Sequence, residues 1–124
     1  MDKVVHFEIP AGDLEKAKKF YSEVFGWQIM PYNDWYLSVV AAESDGNKMS
    51  KEKGAINGGI QKRGPRAKMP TIIIQVKNID DSSAKIKKNG GKIAVEKEKI
   101  SDMGFYAQFD DTEGNRIGLF QMGI

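Results

Sequence analysis

Apolar and polar residues alternate over Val4–Ile9, which predicts a strand with Val5, Phe7 and Ile9 on one face and Val4, His6 and Glu8 on the other. The period then changes. Leu14, Ala17, Tyr21, Val24 and Phe25 recur at helical spacing, while Glu15, Lys16, Lys18, Lys19 and Glu23 fall on the solvated side. Pro10 is expected to break the strand, Asp13 to cap the helix through its carboxylate, and Gly26 to close it in the left-handed conformation. If Val5, Phe7 and Ile9 pack on that helix, His6 and Glu8 lie on the opposite face of the sheet. That face is where chemistry is to be sought.

Further along, Trp27–Met30 reads as a strand, Pro31–Asp34 as a turn, and Trp35–Ala42 as a second strand rich in β-branched and aromatic residues. The polar stretch Glu43–Lys53 reads as a loop. Gly54–Gln61 is a glycine-rich strand, where glycine marks a bulge or the close approach of another group. Lys62–Pro70 is a basic, proline-containing linker. The second half repeats the order: strand Thr71–Val76, helix Asn78–Asn89 with Asn78 or Asp80 as cap and Gly90 as stop, then strands Lys92–Val95, Phe105–Asp110 and Ile117–Met122. Asp111–Asn115 is a turn, with Gly114 or Asn115 supplying the positive φ. A shift of 65 residues sets Leu14 on Ile79, Tyr21 on Ile86, Gly26 on Gly91 and His6 on Thr71. Strand, helix and three strands occur twice, and that order is an internal repeat.

Composition narrows the chemistry. At 124 residues and 40% hydrophobic content the chain can bury a core as one domain over 1–124. Its modules cover about 1–63 and 71–124, joined by a linker at about 62–70. A net charge of +2 gives no reason to expect nucleic acid. No apolar run or leader pattern points to a membrane or to export, so a cytoplasmic location is expected. Zero cysteines exclude disulfides, thiolate metal sites and a cysteine nucleophile; one histidine excludes any single-chain site needing two. No phosphate loop, nucleotide fingerprint or Ser/His/Asp arrangement is present.

Tandem βαβββ modules of this kind resemble the vicinal oxygen chelate superfamily. The resemblance is carried by His6-Phe-Glu-Ile-Pro10, Asp13-Leu14, Phe20-Tyr21, Phe25-Gly-Trp27, Ile56-Asn-Gly-Gly-Ile60 and Asp111-Thr-Glu-Gly-Asn115. That superfamily includes glyoxalase I, extradiol dioxygenases, methylmalonyl-CoA epimerase and the bleomycin- and fosfomycin-resistance proteins. The chain is most similar to a glyoxalase-like subgroup, with Thr112 standing where the last motif usually has proline. The resemblance implies an α+β fold: two tandem βαβββ modules forming a curled mixed sheet with a concave pocket, the helices on its outer face.

In metal-dependent relatives, the resemblance implies two ligands per module, one from the first strand and one from the last. Carried over, the first-strand positions fall on His6 and Thr71, and the last-strand positions on Gly58 or Gly59 and on Gly118. Only His6 retains a ligand type, so neither a metal nor another cofactor is expected. Residues two apart on a strand are separated by about 6.6–6.8 Å, so His6 and Glu8 would both have to bend toward a shared ion. Glu8 on an inward face needs a partner, with Arg116 as one candidate, or it serves as an acid or base. Alternation places Thr71, Ile73 and Gln75 on the same face as Gly118, Phe120 and Met122.

The expected pocket is apolar and aromatic with a few polar points, lined by His6, Glu8, Asn57, Thr71, Ile73, Gln75 and Phe120, with Gln108 a further polar point. One functional reading is binding of a small organic molecule without turnover. Another is lyase or isomerase chemistry on a small carbonyl compound, similar to glyoxalase I, with Glu8 as catalytic base and His6 assisting. A third is action solely through association with another protein. Phe25, Trp27, Met30, Trp35, Phe105 and Ile124 supply apolar surface for a homodimer.

Overall fold

The alternating N-terminal stretch forms β1 (Lys3–Ala11) and the helical repeat forms α1 (Leu14–Phe25), in a computed structural model that describes residues 1–46 and 49–123. Ile124 and part of the 43–53 loop lie outside the described residues. Asp13 accepts a hydrogen bond from the Lys16 N–H, and Gly26 takes φ 74° with its N–H on the Ser22 carbonyl. Pro10 does not break the strand. It pairs with Gln61 one residue before the strand ends, where a missing N–H costs little.

The chain divides into two compact units. The first, His6–Pro70, contains α1 and the strands β2 (Gln28–Asn33), β3 (Tyr36–Val40) and β4 (Asn57–Lys62) beside β1. The strand order is β2-β3-β4-β1, antiparallel except for the parallel β4–β1 pair. Pro31 belongs to β2 and not to the turn, which tightens to residues 34–35, and the pairing shifts between Pro31 and Asn33. Ala11, Ile29, Leu37, Val39 and Ile60 form the core on the helix side, joined by Phe7, Ile9, Leu14, Ala17, Tyr21 and Trp27. Val24 and Phe25 do not join it. They remain 56% and 59% exposed, so the helix buries a narrower stripe than its spacing predicts.

The second unit, residues from Thr71 onward with Met1–Val5, repeats the plan. It contains β5 (Thr71–Gln75), α2 (Ile79–Lys88), β6 (Lys92–Ile100), β7 (Gly104–Asp110) and β8 (Arg116–Met122), in the order β5-β8-β7-β6 with β5–β8 parallel. Asn78 caps α2 by accepting from the Asp81 N–H. Val76, Ile79, Ala107 and Leu119 form its core. β6 runs five residues past Val95, because the charged stretch Glu96–Lys99 still pairs with β7, across two register shifts. Lysine-rich terminal strands of this kind guard an otherwise adhesive edge. Gly114 supplies the positive φ of the 111–115 turn, at 81°. The fold is α+β, two βαβββ units in tandem.

Candidate functional site

The parallel register of β1 and β4 sets His6 opposite Asn57 and Glu8 opposite Gly59; the antiparallel register of β3 sets Ser38 opposite Gly59 and Tyr36 opposite Gln61. Directly paired residues share a face, so His6, Glu8, Tyr36, Ser38 and Gly59 lie together on the side away from α1. The expectation for His6 and Glu8 holds at this level. Of the two glycines considered as a ligand position, Gly59 shares their face. Gly58 lies against Phe7 on the helix side, where an added Cβ would meet the Phe7 carbonyl and ring.

Tyr36, which the sequence marks only as part of an aromatic-rich strand, joins this group. It lies diagonally over Gly59, where a Cβ would fall on the phenol hydroxyl. Its hydroxyl is 2.8 Å from His6 Nε2. Glu8 is buried, with Oε2 3.9 Å from the same nitrogen, beyond hydrogen-bond length. Burial pushes the His6 imidazole down from 6.5 to about 4, so the ring is neutral at pH 7, although a third of its surface stays accessible. A neutral ring has one donor and one acceptor nitrogen, and either tautomer can bond the phenol.

Asn57 occupies the same row, but its amide is directed to the chain after β3. It accepts from the N–H groups of Ala41 (2.8 Å) and Ala42 (3.2 Å) and donates to Ser44 Oγ (2.6 Å). The remaining expected residues gather on the equivalent face of the second unit. Ile73 pairs with Gly118 and Gln75 with Phe120, and Thr71 donates to the Arg116 carbonyl at 2.6 Å. There Tyr106 approaches Gly118, and Gln108 donates to its hydroxyl at 2.8 Å. The Arg116 guanidinium, considered as a partner for Glu8, bonds the Asp110 carboxylate and holds its pKa below the usual range.

A divalent ion of the type implied by the sequence resemblance needs several imidazole or carboxylate donors. Among the described residues no three His, Cys, Asp or Glu side chains cluster to hold one. Of the four implied positions, His6 has its Nε2 on a phenol, Thr71 bonds a backbone carbonyl, and Gly59 and Gly118 have no side chain. These residues do not fit such an ion. A shallow depression of about 480 Å³ at the start of α1, bordered by Asp13, Pro31 and Lys62, contains none of the His6–Glu8–Tyr36 group.

The family model of the Glyoxalase/Bleomycin resistance protein/Dioxygenase superfamily matches residues 3–119. Curated proteins give no match. Among solved structures, methylmalonyl-CoA epimerase from Mycobacterium tuberculosis is 14% identical with a TM-score of 0.66, over 98% of this chain and 88% of that one. A superfamily member from Vibrio splendidus 12B01 is 15% identical with a TM-score of 0.63, over 98% and 99%. A Streptomyces coelicolor methylmalonyl-CoA epimerase in complex with 2-nitronate-propionyl-CoA is 15% identical with a TM-score of 0.70, over 98% of each. Likeness at such identity is likeness of fold.

Proposed function

Since the chain belongs to the Glyoxalase/Bleomycin resistance protein/Dioxygenase superfamily, we propose that it binds a small organic molecule on the helix-free face of its first unit, without a tightly held metal. One observation carries this reading. A neutral imidazole, a phenol and a buried carboxyl group meet on one face, which gives polar points for recognition but too few donors for an ion. Ile73, Gln75 and Phe120, and Thr71 beside them, are read as the lining of the equivalent face of the second unit. The test is a fluorescence titration with planar and aromatic compounds. Trp35 packs edge-on to Tyr36 at 5.8 Å between ring centroids, so occupancy at Tyr36 is expected to change its emission. No saturable response from any compound defeats the reading.

A second reading is favoured by Glu8 itself, a carboxyl group buried near a neutral ring. In it the protein is an isomerase or lyase acting on a small carbonyl compound. Glu8 takes the proton α to the carbonyl, the enolate oxygen accepts a hydrogen bond from Tyr36 or His6, and the proton returns to carbon. Carbonyl compounds incubated with the protein in D2O would then exchange their α-hydrogen, and Glu8→Gln would stop the exchange.

The chain is further read as a cytoplasmic homodimer. Phe25, Met30 and Trp35, each more than half exposed, support the dimer; Trp27 and Phe105 are used in the two cores instead. Among the described residues no helix is long and apolar enough to cross a membrane. Light scattering that returns the 13.8 kDa of one chain refutes the dimer.

A further inference from the structure

Methionine ranks among the side chains most often buried, yet all six in this chain are exposed, the least of them 46% at Met49. None belongs to either core. With no cysteine present, these thioethers are all the sulfur the chain has. Met30 lies on the surface read above as a dimer contact and is set aside. The others are Met1, Met49 in the loop after β3, Met69 in the linker before β5, Met103 in the single turn Ser101–Met103, and Met122 at the end of β8. A methionine surface that grips a partner gathers its thioethers in one patch. Here only Met103 and Met122 adjoin, through the pairing of Gly104 with Met122. The segments are held by backbone: the Met49 carbonyl accepts from the Asp45 N–H, and the Met103 carbonyl from the Gly123 N–H. Neither bond depends on the thioether.

We propose that Met1, Met49, Met69, Met103 and Met122 are the chain's sites of oxidative modification, taking up oxygen from peroxides as sulfoxides while the fold persists. In each, a sulfur lone pair attacks one peroxide oxygen, and the S–O bond forms as the O–O bond breaks. The departing hydroxide takes the proton of the oxygen that stays and leaves as water. Sulfur loses two electrons and the peroxide gains them. A sulfoxide is polar, so inside a core it opens the packing, whereas at the surface its oxygen meets water. The inference is independent of the binding reading, because none of these residues stands in the rows that hold His6, Glu8 and Tyr36.

The test treats the full chain with excess hydrogen peroxide, maps the product by peptide mass spectrometry and follows its urea denaturation. A Met30→Leu background keeps the dimer contact out of the comparison. Each of the five methionines is expected to gain one oxygen atom. Leu37→Met and Leu119→Met supply the contrast, one in each core, at positions only 2% exposed. Leucine and methionine are close in volume, so the exchange itself is tolerated, and if one variant misfolds the other carries the contrast. The added thioether is expected to oxidise about tenfold or more slowly than the surface set, because it waits for local opening. Once oxidised it should lower the urea midpoint, which oxidation of the surface set leaves almost unmoved. Surface methionines that lag with the buried one overturn the inference. So does a midpoint that falls as far without the added core methionine as with it.

Discussion

The two units place a tyrosine over a glycine in the same way and then surround it with different chemistry. In the first, Ser38 pairs with Gly59 and Tyr36 stands two residues before Ser38; in the second, Gln108 pairs with Gly118 and Tyr106 stands two residues before Gln108. The neighbours on the parallel strand are Glu8 and Ile73. The phenol meets an imidazole in one unit and a carboxamide in the other. The scaffold has thus been kept twice, but the first face carries an imidazole and a carboxyl group, whereas the second carries the paired Asp110 and Arg116 farther along the same strands. Duplication fixes where a side chain can reach, and individual substitutions decide what it can do there.

The sharpest way to break the comparison is to empty each core in turn. Ile60 and Ile79 are both fully buried, one in each unit. Ile60→Ala and Ile79→Ala should each cost about 2–5 kcal/mol, read from urea denaturation. If the units are equally well packed, the two losses agree within about 1 kcal/mol. A loss confined to one variant would show that only one unit governs folding.

Acid sharpens the contrast next. The His6 pKa of about 4 lies below its ordinary 6.5, so between those values the unfolded chain holds more protons. The contribution is complete above pH 6.5 and is lost as pH falls toward 4. With a third of the ring surface exposed, the loss is on the order of 1–3 kcal/mol. His6→Gln, which copies the amide of Gln108, should flatten the stability curve across that window. A slope unchanged in this variant would show that His6 is not its source. Asp110 and Asp111 also have lowered values, but their contributions are lost below the ordinary 3.8 and fall outside the window.

Much of this plan is legible in the sequence, and the gaps have physical causes. α1 and its caps follow from Asp13, Gly26 and the apolar repeat, and the face of His6 and Glu8 follows from alternation. The sequence pattern ends β6 at Val95 because Glu96–Lys99 carries no apolar alternation; its pairing with β7 comes from backbone bonds, which composition does not record. Tyr36 was missed for a different reason. A 65-residue slide aligns His6 with Thr71, yet Tyr36 matches Tyr106 at 70 and Gly59 matches Gly118 at 59, since the loops between strands differ in length. The repeated tyrosine–glycine contact appears only once register is known. Glycines 58 and 59 signalled a close approach, but not by what.

A smaller effect is expected at the helix ends. Gly26 at φ 74° and Gly90 at φ 94° end α1 and α2 in the left-handed region. Alanine at either should cost about 1 kcal/mol in backbone strain. Space differs: nothing lies within 4 Å of a Cβ at 26, whereas Thr112 Cγ2 lies 3.3 Å from one at 90. Gly90→Ala should therefore be the worse of the two in paired thermal melts, and equal losses would show that Thr112 simply moves aside.

The smallest effect is expected where the charges look best paired. Arg116 bonds Asp110 through two nitrogens, and that contact, ahead of simple charge attraction, is the main cause of the lowered Asp110 pKa and the raised Arg116 value. Both side chains are about one-third exposed, so water and salt screen the pair, and holding two long side chains in one geometry offsets what remains. The lowered carboxylate pKa contributes above the ordinary 3.8 and is lost as pH falls through the folded value, which makes any effect an acid-limb effect. Arg116→Gln is expected to return the Asp110 titration toward the ordinary carboxylate range by NMR while leaving the urea midpoint at pH 7 almost unmoved. A large midpoint shift in Arg116→Gln would instead mean that the second unit depends on this ionic contact for its stability.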